Sequence, residues 1–434
     1  MSFLLDDEQT PRKTRDEWLQ EMPDELRQKL ETTLKSRELL RWIATGIEET
    51  GVAGEHLFAM TVYLTGTSRL LEQPLAVIVQ GPSASGKSYV LDQVAGLLPP
   101  EAVLTATDMT PNALYYLPPG ELKHRFVVTG ERSRGRTDET AQATKALREM
   151  ISSRKLSKVY TISDPEGPRT VTVHQAGPIA YAESTTASEV FEEDANRCLI
   201  LQPDERPEQT RRILTASGHR LAGHDSAERR EQWRREFHGL HRLLELLPVV
   251  IPFSQKLAAL FPSEPLEARR AFGHLTSMIQ AIALLHQFQR PRDESGRIVA
   301  QPEDYWFARL LLQEVLARSL GHKPADALKR FASRLRDFTG EHTARVLAQR
   351  MNISERTVRE HLHSLLEQGA IEQTLPARGP IPAKWLIHDN IQVREPSEAL
   401  LPSVETVCGV GEDALPLPEM PADWPSADLT DVPF

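Results

Sequence analysis

Leu75-Ala-Val-Ile-Val-Gln80-Gly81-Pro-Ser-Ala-Ser-Gly86-Lys87-Ser88-Tyr89-Val90-Leu91 decides how the rest of the chain is read. It opens on a continuous apolar run, the pattern of a strand buried on both faces of a parallel sheet. Gly-x-x-x-x-Gly-Lys-Ser follows, and then apolar residues at Tyr89, Leu91 and Val94 that set a helix starting near Lys87. Glycines at 81 and 86 let backbone N–H groups close around phosphate oxygens at a helix N-terminus. In such a loop the Lys87 ammonium neutralises β/γ-phosphate charge, and the Ser88 hydroxyl ligates Mg2+. The expected ligands are ATP and Mg2+, with Gly81, Ser83, Ser85, Gly86, Lys87 and Ser88 as the cradle.

Outward from this loop the periodicity assigns the other regions. Before it, Leu26, Leu30, Leu34, Leu39, Leu40 and Ile43 recur at helical spacing, so 1–73 is a helical N-terminal region. After it, Phe126-Val-Val and Pro178-Ile-Ala-Tyr-Ala repeat the buried-strand pattern with helical stretches between, giving an α/β core over 74–205. Residues 206–322 read as a charged helical lid, 323–393 as a small α+β unit, and 394–434 as a disordered acidic tail with seven prolines.

The net charge of -10 arises from 51 Lys+Arg against 61 Asp+Glu. Nine of those acids lie in the last 40 residues, which carry no Lys or Arg, so the body is close to neutral and nucleic acid is not excluded as a partner. Two cysteines, Cys198 and Cys408, exclude a disulfide framework and a cysteine-based zinc site. No apolar run approaches the ~20 residues of a membrane span, and the first residues turn acidic too soon for a signal peptide. A cytoplasmic location without membrane contact is expected.

A phosphate-binding loop needs an acid at the end of a second strand. His124-Arg-Phe-Val-Val-Thr-Gly130-Glu131-Arg132 offers one, where paired acids are usual. Either Glu131 polarises the attacking water and Gly130 replaces the metal-side Asp, or Glu131 is the metal-side acid and Arg132 replaces the catalytic Glu; the first register is preferred. Downstream, Glu183-Ser-Thr-Thr186 follows the third strand, where a polar side chain can reach the γ-phosphate. Asn196-Arg197-Cys198 precedes another strand, a position that suits an arginine finger acting on a neighbouring subunit.

In this order the stretches Tyr63–Gln80, the loop 81–88, Met109-Thr-Pro-Asn-Ala-Leu-Tyr-Tyr, Glu183-Ser-Thr-Thr, Asn-Arg-Cys and Asp204-Glu-Arg-Pro-Glu-Gln-Thr carry a resemblance. From roughly 36 to 290 the chain resembles the AAA+ ATPase domain fused to zinc-finger/toprim DNA primases of bacteria and mobile elements, and more distantly minichromosome-maintenance helicases. The resemblance implies sensor 1 at Thr185 or Thr186, a trans-acting finger at Arg197, and a sensor-2 Arg at Arg270, with Arg269 second. It also implies a pre-sensor hairpin over Leu156–His174, with strands Lys158–Ile162 and Arg169–Val173 around Asp164-Pro-Glu-Gly167. Lys155, Lys158 and Arg169 are its candidate DNA contacts. Zinc-finger and toprim modules have no counterpart in residues 1–73, which contain no Cys, so the chain is not expected to be a primase itself.

Phe338–Gly369 reads as a helix-turn-helix, with Val346 and Leu347 packing the first helix and Ser354 capping the second. Val358, Leu362, Leu365 and Leu366 form the buried stripe, leaving Glu355, Arg356, Thr357, Arg359 and His363 outward. Ile371–Ile387 adds two strands with a wing tip near Arg378, completing a winged helix. With twelve Lys/Arg and eight Asp/Glu over 323–394, it is expected to touch DNA through Arg356, Thr357, Arg359, Arg378 and Lys384. The end of the chain, with Asp428, Asp431, Val432, Pro433 and Phe434, resembles the acidic tip of bacterial single-stranded-DNA-binding proteins. A terminal Phe and carboxylate of that kind docks in an apolar pocket rimmed by cations on replication proteins.

These readings lead to an ATP-driven AAA+ ring, expected as a hexamer, acting on DNA as a helicase or translocase in replication of a mobile element or phage. The alternative is a nucleotide-gated switch that holds a DNA site and recruits a recombinase, replication or regulatory partner.

Overall fold

A computed structural model describes residues 13–107, 109, 112–131, 138–164, 167–187, 190, 192–223, 226–264, 266–320, 325–351, 353–367, 370–376, 382–388 and 400–417. Helix α1 (Arg15–Glu21) starts at a capping box: Thr14 Oγ1 accepts the Glu17 N–H, and the Glu17 carboxylate accepts the Thr14 N–H at 2.6 Å. Helices α2 (Asp24–Lys35) and α3 (Leu39–Glu49) bury the expected stripe of Leu30, Leu34, Leu39, Leu40 and Ile43. Helix α4 (His56–Thr67) is buried nearly all round. It packs on the central sheet, which explains why its sequence shows no polar face.

The core follows in chain order. Strand β1 (Ala76–Gln80) leads into α5 (Lys87–Ala95), then β2 (Val103–Ala106), β3 (Arg125–Glu131) and α6 (Asp138–Ser153). A long hairpin of β4 (Lys155–Asp164) and β5 (Gly167–Ala176) precedes β6 (Ile179–Thr185), α7 (Glu192–Ala195) and β7 (Leu199–Leu201). The five core strands pair in the order β2-β3-β6-β1-β7, every pair parallel. The three apolar runs read from sequence are β1, β3 and β6, the middle of this sheet. Strand β2, only four residues and half-exposed, gave no such signal. Arg125 fixes it: its buried guanidinium donates to the Val103 carbonyl (2.9 Å) and to the Glu121 carboxylate (2.6 Å).

The region after β7 comprises α8 (Pro207–Leu221), α9 (Ala227–Leu243), β8 (Val249–Val250), α10 (Ser254–Leu260), α11 (Ala268–Leu285), β9 (Ile298–Val299) and α12 (Pro302–Ser319). Helix α9 returns to the N-terminal helices, where Trp42 lies 5.0 Å from Trp233 and 4.8 Å from Phe237 between ring centroids. Gly46 permits this approach, since a Cβ there would meet Phe237 at 2.4 Å.

The chain divides into two compact units. One takes in residues up to Val315 together with those from Ser403 onward; the other runs from Leu316 to Pro402. The second contains α13 (Ala325–Leu335), β10 (Gly340–Thr343), α14 (Ala344–Met351), α15 (Glu355–Glu367), β11 (Glu372–Leu375) and β12 (Lys384–Ile387), with the strands antiparallel in the order β10-β12-β11. Phe331, Leu335, Leu347, Val358, Leu362, Leu365 and Trp385 form its core. Val346 is corrected: it is 37% exposed, and Leu347 and Met351 pack the inner face of α14 instead.

The expected disorder after Arg394 is also corrected over 400–417. Ser403 caps α16 (Val404–Cys408), accepting the Thr406 N–H at 3.1 Å, and the helix ends at Gly409 in the left-handed region. Val404 and Val407 are buried, α16 packs on α10, and Glu412 pairs with Arg309 at 3.3 Å. Pro416 and Leu417 then line a cavity of about 400 Å3 with Lys35, Arg37, Trp306 and Phe307. Composition misled here because a cap, two apolar residues packed on a distant helix and one long-range ion pair suffice to anchor a proline-rich segment. Replacing both Val404 and Val407 with Ala should lower stability by about 2–4 kcal/mol in denaturant titration and make 400–417 the first site of limited proteolysis.

Candidate nucleotide site

Helix α5 starts at Gly86, which has φ 83°, and Ala84 within the loop has φ 68°. Both values lie where glycine is at ease and alanine is strained. Gly81 serves another purpose: a Cβ would press on Pro203 at 3.0 Å. The loop is tied to the sheet by the Gly81 N–H, which donates to the Thr185 carbonyl at 3.2 Å.

Lys87 is 5% exposed. Its ammonium donates to the carbonyls of Gly81 (2.9 Å) and Pro82 (2.6 Å) and lies 3.3 Å from Ser85 Oγ. Among the described residues no carboxylate lies within ion-pair distance of it. A buried ammonium held only by neutral carbonyls at a helix N-terminus is a site for an anion. Ser88 Oγ lies 3.3 Å from Ser184 Oγ, so the hydroxyl expected at the metal faces β6. These residues fit a triphosphate with its divalent cation.

Glu131 reaches the same place through a break in register. Thr129 pairs with Glu183, but Glu131 pairs with Ser184, so β3 carries one extra residue at Gly130. The bulge moves Glu131 to the face opposite Thr129, the face on which Ser184 meets Ser88. Thr186 Oγ1 donates to the Glu131 carboxylate. Of the two sensor candidates, Thr186 therefore sits at the acid. The Thr185 hydroxyl is turned back to accept the Ala187 N–H at 3.1 Å. Gly130 itself has no room for a side chain, because a Cβ would lie 2.4 Å from the Thr107 carbonyl oxygen. The unpaired acid is thus a packing consequence. Gly130→Asp should destabilise the protein by about 2 kcal/mol in chemical denaturation.

Arg197 and Arg270 are not brought to this loop. Arg197 precedes β7, whose Leu199 pairs with Val77, so it lies about 20 Å along the strands from Gly81 at ~3.3 Å per residue. Its guanidinium donates to Ser152 Oγ (2.9 Å) and to the Glu193 carbonyl (2.5 Å). Its backbone bonds with His274 on α11, whose imidazole is held down to about 4 by burial and then by Arg270 one turn away. The two arginines share the opposite end of the sheet.

Sequence reading missed the wall beside the loop. Glu55 has φ 55° and caps nothing, yet its carboxylate accepts the Asp204 N–H at 3.0 Å. Gln209 Nε2 donates to the Ala53 carbonyl at 2.7 Å, and Gly54 lets that amide approach. Glu55 joins the 51–55 turn to Asp204, next to the Pro203 that meets Gly81, and Gln209 joins it to the first turn of α8. Gly-x-x-Gly-Glu before α4 was the available signal. Burial pushes the Glu55 carboxyl up to about 8, against the Asp204 N–H, which works the other way.

The expected DNA contacts divide. Strand alternation puts Lys155 on one face of the hairpin and Lys158 on the other, with Arg169 on the Lys158 face through its partner Ile162. On α15 the Arg356 and Arg359 side chains are 76% and 62% exposed, but each pairs with an acid one turn away, Glu360 and Glu355. The Thr357 hydroxyl is engaged at the cap by Ser354 Oγ at 2.7 Å. His363, though exposed, meets Trp385 edge-on at 5.0 Å. Lys384 lies 3.3 Å from Glu341. Arg378, Asp428, Asp431, Val432, Pro433 and Phe434 lie outside the described residues.

Residues 26–228, just under half of the chain, match the family model described as the MTBMA_p00010 P-loop domain. That match spans α2 to the start of α9 and includes every residue gathered around Lys87. No curated protein matches the chain. The chain carries a P-loop domain of the nucleotide-binding NTPase kind. Among the described residues no helix is long and apolar enough to cross a membrane, and no group of His, Cys, Asp or Glu is placed to hold a metal by itself.

The Glu55 shift has a sign. A carboxyl raised from 4.5 to about 8 contributes stability that is whole below 4.5 and is lost as pH rises through 8. Glu55→Gln keeps the acceptor for the Asp204 N–H without the titration. Its melting temperature relative to wild type should therefore rise steadily from pH 5 to 8.5 in scanning fluorimetry.

Proposed function

We propose that the chain is an ATPase of AAA+ type that works as a ring on DNA, with ATP and Mg2+ held at Lys87, Ser88 and Glu131. The observation that supports this reading is a separation within the sheet. Lys87 and Glu131 stand at one end of the sheet, and Arg197 with Arg270 at the other. A guanidinium that cannot reach its own triphosphate can reach that of the next protomer when subunits stack head to tail, and closure of such contacts gives a ring. Hydrolysis is then coupled between subunits, since charge developing on the γ-phosphoryl group is neutralised by a neighbour's Arg197. The β4–β5 hairpin and the winged unit 323–393 would supply DNA contacts. The acidic C-terminal residues would recruit proteins that read a single-stranded-DNA-binding-protein tip. Helicase or translocase action in mobile-element replication is the role these parts suit.

A nucleotide-gated switch is the second reading, and the crowding at Gly130 favours it. With one acid at the strand end, either metal orientation or water activation rests on Glu131 alone, which slows turnover more than binding.

ATP turnover with and without single-stranded DNA separates the two. The motor reading expects DNA-stimulated hydrolysis that falls at least 100-fold in Lys87→Ala and in Glu131→Gln. Mixing Lys87→Ala with Arg197→Ala subunits should restore part of the activity, because a mixed ring contains interfaces with both groups intact. Tight ATP binding with negligible turnover, or no recovery on mixing, would refute the motor.

A further inference from the structure

The Lys158 face of the hairpin carries more than charge. A single 3-10 turn, Ala113–Tyr115, packs beside it, and buried Gln175 on β5 pins that turn by donating to the Leu117 carbonyl. Lys158 Nζ bonds Asn112 Oδ1 at 2.5 Å and lies 5.4 Å from the centroid of the Tyr115 ring. The next residue, Tyr116, is 59% exposed and meets Tyr160 edge-on with centroids 6.0 Å apart. Tyr160 shares its strand face with Lys158, and cross-strand pairing puts Arg169 on that face beside Ile162.

We infer that Tyr116, backed by Tyr160, is a stacking platform for unpaired bases, which makes this face a single-stranded DNA site. An isolated exposed tyrosine needs no explanation. Here the ring is held by a second aromatic, next to a turn fixed by a buried amide, over a hairpin face that carries two cations. That combination offers π-faces to bases and positive charge to the backbone, the chemistry by which single strands are bound without sequence preference. A duplex hides its base faces, so the platform distinguishes single strands from double strands, whereas the lysine and arginine alone would not. The inference rests on the DNA reading above and adds to it the form of DNA and the residue that recognises it.

The test uses the full chain and three fluorescent probes in anisotropy titrations: a thymidine 30-mer, an abasic 30-mer with the same number of phosphates, and a 30-base-pair duplex. Wild type should bind the thymidine strand about tenfold more tightly than the abasic one. Tyr116→Ala should erase that preference while leaving abasic affinity and ATP binding unchanged, and Tyr116→Trp should keep it. Equal wild-type affinity for the thymidine and abasic strands, or an undiminished preference in Tyr116→Ala, overturns the platform and leaves the DNA reading standing. Equal loss on both strands together with a change in assembly size by sedimentation overturns it in favour of a contact between copies. Failure of wild type to bind any of the three probes overturns both readings.

Discussion

A buried ammonium that meets no acid among the described residues is the constraint on which the rest of this structure depends. Lys87 cannot be taken out of water cheaply, and the carbonyls of Gly81 and Pro82 offset only part of the loss. The loop conformation that supplies those carbonyls is itself strained at Ala84 and requires Gly86. It is held in place because β1 is buried on both faces and because Thr185 and Pro203 close on Gly81 from either side. A negatively charged ligand therefore completes an arrangement that the fold has already assembled.

The second constraint is a single residue of register. Had the register run on unbroken past Thr129, Glu131 would pair with Thr185 and point at the Tyr181–Glu183 side of the sheet. With the break, the carboxylate joins Ser184, Ser88 and Thr186. Thr107 lies against Gly130, as the β2–β3 register requires, and that contact removes space for a second acid. The two registers left open by the sequence reduce to one geometric statement: Glu131 shares a strand face with the hydroxyl expected at the metal.

Electrostatics are distributed differently from what residue counts suggest. Residues 323–394 carry a surplus of cations, yet both outward arginines of α15 have a carboxylate one turn away. Such exposed pairs contribute little to stability, and they dilute the field that a phosphate backbone would meet. The segment after Arg394, read as an acidic tail, keeps Glu412 at Arg309 and inserts Val404 and Val407 into the first unit.

Sequence alone determined the features set by neighbours along the chain. The apolar runs of β1, β3 and β6, the Gly-x-x-x-x-Gly-Lys-Ser loop, the hairpin around 164–167 and the Ser354 cap of α15 all follow from side-chain period and turn chemistry within a dozen residues. Tertiary structure decided what depends on residues far apart: the side of the sheet that Glu131 faces, the grouping of Arg197 with Arg270 through His274, the wall built by Glu55 and Gln209, the exposure of Val346 and Tyr116, and the return of α16 to the first unit. Local pattern fixes which backbone conformations cost least. Which surfaces then meet is set by burial and by hydrogen bonds that no window of sequence contains.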